Sequence, residues 1–271
     1  MSRIVVVTSG KGGVGKTTTT AALGAALAQN GQNVVVVDFD VGLRNLDLIM
    51  GVERRVVFDL INVIQEEAAL HQALIRDKRC DTLSILPASQ TRDKDALTDD
   101  GVTRVMNELR ERFDWILCDS PAGIERGARL AMHHADHAVI VTNPEISSVR
   151  DSDRIIGMLD SQTAHAQKGE TVEKHLLLTR YDPYRASRGE MLSIEDVVSI
   201  LSLPLLGVIP ESEDVLKASN VGAPVTFASP ESGPAIAYFE AVNRLRGENI
   251  PISIPTEKRG LLSRIFKKRG S

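Results

Sequence analysis

The eight residues from Gly10 to Thr17 constrain this chain more than any other stretch, because they match the pattern G-x-x-x-x-G-K-T. In that pattern, backbone N–H groups of a glycine-rich turn surround phosphates, and the lysine reaches the phosphate oxygens. An apolar run at 3–8 predicts a buried strand before the turn, and an Ala- and Leu-rich stretch at 18–29 predicts a helix after it. A phosphate-binding loop is typical of this strand–loop–helix context.

The loop and the residue after it are expected to hold the phosphates of a nucleotide. Lys16 and Thr17 are the lysine and threonine of the motif, whereas Lys11 is one lysine more than the motif requires. We expect Lys16 to act in catalysis and the Thr17 hydroxyl to ligate Mg²⁺. The predicted nucleotide-binding residues of this segment are Gly10, Lys11, Gly12, Gly13, Val14, Gly15, Lys16, Thr17 and Thr18.

Composition bounds the fold and argues against some functions. The chain has 271 residues, of which 42% are apolar, so it can form one large α/β domain with a sizeable core. Only 4% of the residues are aromatic, which predicts a core of aliphatic side chains. The net charge of −4 argues against a generally basic nucleic-acid binder, and no specific nucleic acid is expected as a partner.

Apolar runs of strand length alternate with helical patterns. Strands are predicted at 3–8, 33–37, 83–86, 114–118, 137–142, 175–179 and 205–209, and helices at 18–29, 58–74, 103–112, 149–160 and 194–201. This order predicts a doubly wound, mostly parallel sheet with helices on both faces, in a P-loop NTPase fold. The predicted organisation is one ATPase domain at 1–246, a linker with two prolines at 247–257, and a tail at 258–271.

Aspartates end two of the predicted strands. Asp38 and Asp40 follow the second strand, and Asp119 follows the fourth. In a doubly wound sheet the ligand lies at the carboxyl ends of the strands, beside the phosphate loop. Asp38 and Asp119 are therefore candidates for holding Mg²⁺, and Asp40 for orienting an attacking water. Each could instead be an ordinary turn residue at a strand end, and the division of roles among them stays open.

Six segments carry a resemblance to a known family. They are KGGVGKTT at 11–18, DFDVGLRNLD at 38–47, LPASQTRDKDAL at 86–97, CDSPAGIE at 118–125, NPEISSVRDSDR at 143–154 and LLLTRY at 176–181. The chain resembles the deviant Walker A ATPases of the ParA/MinD family, and within them the septum-site-determining branch. The resemblance covers essentially the whole chain, tail included.

The resemblance implies a function and a role for Lys11. It implies a Mg²⁺-dependent ATPase that forms a homodimer on binding ATP, with Lys11 reaching the phosphates of the partner subunit. It also implies that Asp40 positions water and that Thr17, Asp38 and Asp119 serve the metal. Arg180 and Pro210 would lie near the adenine. Extra positive charge at the γ-phosphate is what an arginine finger supplies, which agrees with a catalytic Lys11.

Partners are implied by the same resemblance. It predicts a MinC-like division inhibitor and a MinE-like activator of hydrolysis. Part of the surface that they contact would lie on the predicted helix after the fifth strand, at Arg150, Asp151 and Asp153. Charges on a solvent-exposed helix face, with no partner, are the alternative interpretation of these three residues.

The tail is basic and amphipathic. Residues 257–271 have a net charge of +5, which leaves −9 for the rest of the chain. Leu261, Leu262, Ile265 and Phe266 fall on one helical face, and basic residues, including Arg264, Lys267 and Lys268, occupy the rest. This pattern predicts binding to anionic membrane lipids, marginal for one tail and firm for the two tails of a dimer. A solvated basic tail or a nucleic-acid arm are the alternatives.

Histidine and cysteine patterns predict neither a metal site nor a disulfide. His133, His134 and His137 are close in sequence, but no acidic or cysteine ligand follows at a fitting spacing. Cys80 and Cys118 lie in or beside predicted strands and are expected to be reduced, which suits the cytosol. Residues 1–8 form the first predicted strand rather than a signal peptide. We expect a cytoplasmic protein bound peripherally and reversibly to the inner face of the cell membrane.

Three other functions are compatible with a P-loop. A DNA-partitioning ATPase of the same fold would need a basic folded body, whereas this body is acidic. A biosynthetic P-loop phosphotransferase would need a pocket for a small acceptor and would have no use for an amphipathic tail. A nucleotide-gated scaffold would bind ATP without depending on its hydrolysis.

Overall fold

A single sheet of eight strands organises the computed structural model, which describes residues 2–90, 92 and 94–256. The strands are β1 (Arg3–Thr8), β2 (Val34–Asp38), β3 (Ile75–Arg76), β4 (Leu83–Leu86), β5 (Trp115–Asp119), β6 (His137–Thr142), β7 (Glu173–Tyr181) and β8 (Leu205–Pro210). Their order across the sheet is β3-β4-β2-β5-β1-β6-β7-β8. All neighbouring pairs are parallel except β3 and β4, which are antiparallel.

Helices connect the strands and cover both faces of the sheet. They are α1 (Lys16–Gln29), α2 (Leu46–Met50), α3 (Leu60–Ile64), α4 (Leu70–Ala73), α5 (Asp99–Arg110), α6 (Arg126–His133), α7 (Ile146–Gln162), α8 (Ala164–Gln167), α9 (Pro183–Ser187), α10 (Ile194–Leu201), α11 (Glu213–Asn220), α12 (Val225–Ala228) and α13 (Gly233–Leu245). Two short 3₁₀ helices lie at Glu53–Arg55 and Lys94–Ala96. Within the described ranges, none of the helices combines the length and apolar character needed to cross a membrane.

The central strand β1 shows why the sheet is covered on both sides. Ile4 and Val6 belong to one buried cluster, and Val5 and Val7 belong to the other. Successive side chains of a strand point to opposite faces, so an unbroken apolar run needs a hydrophobic layer on each face. Helices α1 and α13 contribute to the second cluster, and α3, α5, α6, α7 and α10 contribute to the first. The predicted doubly wound, mostly parallel fold is confirmed.

Three local features differ from the prediction. The helix predicted at 58–74 is divided into α3 and α4, and Glu66 between them has a left-handed backbone with φ +62°. A left-handed residue cannot continue a right-handed helix, so the apolar pattern bridges a real break. The antiparallel strand β3 has no counterpart in the prediction, because its two residues are too few to show a periodic pattern. The predicted helix at 103–112 begins earlier, at Asp99, where the Thr98 hydroxyl caps it by accepting from the backbone N–H of Gly101.

The segment after α13 is held against that helix, although it has no regular structure. Arg244 donates to the carbonyl oxygens of Leu206, Ile250 and Pro251. The Ser253 hydroxyl donates to the Glu240 carboxylate at 2.6 Å. The predicted linker at 247–257 is therefore fastened to the domain as far as Ser253. The predicted membrane-binding residues Leu261, Leu262, Arg264, Ile265, Phe266, Lys267 and Lys268 lie outside the described residues.

A hydrogen-bonded carboxylate joins three elements at the amino ends of the strands. Asp136 accepts from the backbone N–H of Ile4 at 2.7 Å and from the Arg110 guanidinium at 2.9 Å, and His165 Nε2 lies 3.2 Å from it. Burial acts to raise the pKa of Asp136, but these hydrogen bonds outweigh it and hold the pKa below its usual value. A carboxylate with a lowered pKa stabilises the folded state above about pH 4 and loses that contribution as the pH falls through its folded value.

Replacing Asp136 tests this contribution. We expect Asp136→Ala to lower the free energy of unfolding by about 1–3 kcal/mol at pH 7, because it removes the acceptor of the Ile4 backbone N–H and the charged partner of Arg110. The cost should shrink as the pH falls below about 4, where the carboxyl of the unfolded chain becomes protonated, and should be smallest once the pH is below the lowered pKa of the folded state. Urea unfolding at several pH values measures both effects. Glu108→Ala, which breaks an exposed ion pair with Arg112, is the control and should cost less than about 1 kcal/mol. Equal costs for the two variants would contradict this account.

Candidate nucleotide-binding site

Three loops meet at the carboxyl edge of the sheet. The phosphate-loop motif follows β1, the segment beginning at Asp40 follows β2, and the segment beginning at Ser120 follows β5. Because β5 is hydrogen-bonded to β1 on one side and to β2 on the other, these three strand ends are neighbours. The structure thus brings together the segments that the sequence suggested for phosphoryl chemistry.

The loop after β1 is shaped to receive an anion. Gly13 and Gly15 have positive φ angles of +76° and +95°, which side-chain-bearing residues rarely adopt. A Cβ atom placed on Gly12, Gly13 or Gly15 would meet nothing within 4 Å, so the backbone faces open space. Helix α1 begins directly after Gly15, without a side-chain cap, which leaves its first N–H groups available to a ligand.

Lys16 lies beneath this open space, and its side chain is buried. Its ammonium group donates to the Ser9 hydroxyl at 3.0 Å. Burial lowers the pKa of Lys16, and the charges of Asp119 and Asp40 partly oppose this effect. A buried ammonium group with few hydrogen-bond acceptors around it is suited to binding phosphate oxygens. The negative charge of a phosphate would compensate for the hydration that the ammonium group loses on burial.

Asp119 lies next to the threonines that begin α1. Its carboxylate accepts hydrogen bonds from the Thr17 and Thr20 hydroxyls, the latter at 3.1 Å. Burial raises the pKa of Asp119 to about 7, although the Thr17 bond and the Lys16 charge act to lower it. Hydroxyl and carboxylate oxygens are the ligands that Mg²⁺ prefers, directly or through bound water. The oxygen donors at this point therefore fit a magnesium ion.

Asp38 is placed differently from Asp119, although the two are register partners on neighbouring strands. Its carboxylate accepts from the backbone N–H of Asp40 at 2.8 Å and from that of Leu46 at 3.3 Å. Burial and the nearby Asp119 charge raise the pKa of Asp38 well above its usual range. In this structure Asp38 holds the shape of the loop at 40–46, which in turn carries Asp40.

Two adjoining pockets lie over the loop. The first pocket, of about 630 Å³, is lined by residues that were predicted to bind phosphate, to hold the metal ion or to orient water. They are Gly12, Gly13, Gly15, Lys16, Thr17, Thr18 and Asp40. The other, of about 580 Å³, is lined by Val14, Gly15, Thr18, Arg180 and Pro210. Gly15, Thr18 and Arg180 border both pockets. A phosphate chain in the first pocket and a nucleoside in the second would account for this division.

Some residues at these pockets were missed by the sequence reasoning. The Thr179 hydroxyl donates to the Val14 carbonyl at 2.8 Å and so fixes the loop against β7. Tyr238 on α13 lines the second pocket, and burial raises its pKa to about 12. Asn45 and Glu125 line the first pocket. Asn45, Glu125 and Thr179 fall inside the segments that resemble the family, so the resemblance could have identified them. Tyr238 lies outside these segments, and the sequence around it gives no sign of a role at the pocket.

Lys11 faces α7 rather than the pockets. Its ammonium group donates to the Glu145 carboxylate at 2.9 Å and to the Ser147 hydroxyl at 3.1 Å, at the beginning of α7. The two charged side chains are 39% and 54% exposed. An ion pair this exposed contributes at most about 1 kcal/mol, so Lys11 can leave it at little cost.

The loop also touches α7 through its backbone. A Cβ atom on Gly10 would lie 2.2 Å from the carbonyl oxygen of Asp151, which is closer than any side chain could tolerate. Glycine is therefore required at position 10 for packing against α7. Arg150 and Asp153, two of the predicted partner-surface residues, are exposed on the same helix, and Asp151 is half-buried.

Comparison with known proteins matches this geometry to a family. Residues 5–225 match the CobQ/CobB/MinD/ParA nucleotide-binding domain. The septum site-determining protein MinD of Escherichia coli strain K12 is 60% identical over 270 residues, which are 98% of this chain and 99% of that protein. The chain belongs to the MinD family. It therefore has the nucleotide-binding ATPase fold of that family.

Solved structures of MinD proteins have the same fold. MinD in the MinC:MinD cell division protein complex of Aquifex aeolicus superposes with a TM-score of 0.81 at 40% identity, covering 93% of this chain and 99% of that one. The septum site-determining protein MinD of Pyrococcus horikoshii OT3, complexed with Mg-ADP, gives a TM-score of 0.80 at 32% identity, covering 90% and 96%. The second protein binds the ligand class that the two pockets fit.

A pair of glycine substitutions separates the two roles in the loop. We expect Gly10→Ala to lower the free energy of unfolding by about 1–3 kcal/mol, because the added methyl group would displace the α7 backbone. Gly12→Ala should change it by less than about 0.5 kcal/mol, because its methyl group meets nothing. That methyl group would occupy the phosphate space, so the affinity for Mg-ADP should fall roughly tenfold or more.

Urea unfolding of the nucleotide-free proteins and calorimetric titration with Mg-ADP measure these changes. Gly12→Ala serves as the stability control for Gly10→Ala. The assignment is wrong if Gly12→Ala binds Mg-ADP like the wild type or if Gly10→Ala is as stable as the wild type.

Proposed function

We propose that this chain is a Mg²⁺-dependent ATPase that dimerises on ATP and binds the inner face of the cytoplasmic membrane through its tail. There it recruits a MinC-like division inhibitor, and a MinE-like activator releases it by stimulating hydrolysis. The cycle places the division septum. The observation that carries the proposal is the convergence of Lys16, Thr17, Asp40 and Asp119 below an open, uncapped helix start.

Hydrolysis is supported by the contents of the first pocket. Lys16 would bind the β- and γ-phosphate oxygens, and Thr17 with Asp119 would hold Mg²⁺. Asp40 lines the same pocket and would orient the water that attacks the γ-phosphorus. As the water oxygen bonds to the γ-phosphorus, the bond between that phosphorus and the β–γ bridging oxygen would break. ADP and phosphate would then leave. Asp38 contributes by fixing the backbone that carries Asp40.

Dimerisation is supported by the surplus lysine. Lys11 lies outside its own pockets, where its ammonium group contacts the exposed Glu145 carboxylate and the Ser147 hydroxyl among the described residues. In a dimer that pairs the two nucleotide edges, Lys11 would approach the partner's γ-phosphate. Added positive charge there stabilises the transition state of phosphoryl transfer, so hydrolysis would require two subunits.

Membrane binding rests on the composition of the tail and on its number of copies. Four large apolar side chains and a net charge of +5 in residues 257–271 suit an anionic lipid surface. One such segment binds marginally, and two on one dimer bind with raised avidity. Membrane attachment would then follow the nucleotide state. The acidic remainder of the chain favours this function over a DNA-partitioning role.

Partner binding is proposed for the exposed face of α7. The printed title of the Aquifex aeolicus structure names a MinC:MinD complex, and that MinD shares the fold of this chain. Arg150 and Asp153 are exposed on α7, the helix that Gly10 and Lys11 both contact. A partner on α7 would therefore be able to sense the nucleotide site.

Sedimentation with liposomes tests the nucleotide-gated membrane proposal. Full-length protein should sediment with anionic liposomes in Mg-ATP and remain in solution in Mg-ADP or without nucleotide, because only the dimer presents two tails. A chain truncated before Lys258 should remain in solution in all three conditions while still binding Mg-ADP. Neutral liposomes are the control for the charge of the tail.

The same assay distinguishes an ATPase cycle from a scaffold. Asp40→Ala should sediment with ATP and should not be released by a MinE-like activator, because its ATP is not hydrolysed. Release of Asp40→Ala on the wild-type time course would overturn the hydrolysis switch. Equal sedimentation of the wild type in ATP and ADP would overturn the nucleotide gate.

Paired substitutions at Lys11 and Glu145 test how Lys11 acts. Lys11→Ala should lower the ATP hydrolysis rate by roughly 10³-fold or more, because it removes charge at the transition state. Glu145→Gln removes the ion pair and leaves Lys11 in place, so its hydrolysis rate should stay near that of the wild type. Both variants should bind Mg-ADP normally. Phosphate-release kinetics at dimer-forming concentrations measure the rates, and equal losses would mean that Lys11 acts through α7 instead.

A further inference from the structure

Three potential metal ligands meet at the edge of the sheet opposite the nucleotide site. His137 and Glu173 are the first residues of β6 and β7, and they are partners in the parallel register. His175 follows Glu173 by two residues, so it lies on the same face of the sheet. One neighbouring strand pair thus presents two imidazoles and a carboxylate on one face.

Their donor atoms converge on one point. Glu173 Oε2 lies 3.3 Å from His137 Nδ1, and Glu173 Oε1 lies 3.2 Å from His175 Nε2. One donor atom from each of the three residues lies within 4.8 Å of the other two. Both of these nitrogens are buried, and their contacts with Glu173 meet the distance but not the angle of a good hydrogen bond. Buried polar atoms without a well-formed hydrogen bond are uncommon in folded proteins and call for an explanation.

The spacing suits a small transition-metal ion. Zinc binds imidazole nitrogen and carboxylate oxygen at about 2.0–2.2 Å in tetrahedral geometry, which puts neighbouring ligand atoms roughly 3.3–3.5 Å apart. Each nitrogen lies at about that distance from one oxygen of Glu173, His137 Nδ1 from Oε2 and His175 Nε2 from Oε1. Two histidines and one glutamate form a known type of zinc ligand set that leaves one position for water.

The surroundings hold the rings in place. The His137 and His175 rings stack with centroids 6.2 Å apart, and the Trp115 ring lies 6.5 Å from the His137 ring. The Arg3 guanidinium lies over the Trp115 ring, 4.9 Å from its centroid. Both imidazoles are shielded, whereas the Glu173 side chain is 62% exposed, so an ion can enter past the carboxylate.

We propose that His137, Glu173 and His175 bind one divalent transition-metal ion of the zinc type, with water at the fourth position. The ion would join the first residues of β6 and β7 and replace the poorly aligned contacts of the two buried nitrogens with Glu173 by direct bonds to the metal. Because Thr142, the last residue of β6, leads toward α7, the ion would stabilise the strand that precedes the proposed partner surface. The site needs no nucleotide and lies at the other end of the strands.

Zinc titration of the full-length, untagged, nucleotide-free protein tests the proposal. Calorimetry should find one zinc ion bound per chain, and zinc should raise the melting temperature. Glu173→Gln, which keeps the shape of an exposed side chain, should weaken binding by at least roughly 10–100-fold and abolish the thermal shift. His175→Ala should do the same. His71→Ala, at an exposed histidine on α4, is the matched control and should leave both measurements unchanged.

Folding of the variants is checked independently by their affinity for Mg-ADP, which should equal that of the wild type. Cobalt(II) gives a second measurement, because its visible absorption reports tetrahedral nitrogen and oxygen coordination, and Glu173→Gln should lose that spectrum. The proposal is overturned if the wild type binds no zinc at micromolar concentration. It is equally overturned if Glu173→Gln and His175→Ala bind zinc as tightly as the wild type.

Discussion

Parallel pairing of β1 with β5, and of β5 with β2, is the interaction on which the rest of the structure depends. It brings the phosphate loop, Asp119 and Asp38 to one edge, and it requires apolar layers on both faces because each strand is buried on both sides. The helices that supply those layers also supply the site. Helix α1 gives its uncapped start to the phosphate space, and α7 packs against Gly10. The same helices therefore pack the core and position the nucleotide site.

The order of strands and helices was predictable because apolar runs and a strong phosphate-loop motif carry local signals. Lys16 and Thr17 were predictable from the phosphate-loop motif, and Asp40 from its place just after a strand; the structure places all three at one pocket. The contacts of Asp38 and Lys11 were not predictable in the same way. Whether Asp38 faces a ligand or its own loop depends on the path of the chain at 40–46, and the Glu145 partner of Lys11 is 134 residues away.

The histidines show the same limit from another direction. The sequence close to His137 contains no further ligand at a fitting spacing, because Glu173 and His175 lie on the neighbouring parallel strand, beyond the whole of α7 and α8. Parallel strands need a long crossover, so residues paired across them are always far apart along the chain. The prediction of one helix at 58–74 is wrong for the opposite reason. The apolar pattern is present, but one left-handed residue, Glu66, interrupts the helix.

Fastening of the chain by Arg244 and Glu240 has a geometric consequence beyond local stability. Lys258 is only the fifth residue after the anchored Ser253, and five extended residues reach at most about 18 Å. Because the connecting segment is so short, the tail can reach only a small volume around Ser253. In the proposed dimer, the segments that connect the two domains to their tails must therefore start on surfaces that face the same membrane. Otherwise the second tail could not reach the lipid. The orientation of the two subunits, as much as their number, would then decide whether the protein stays on the membrane.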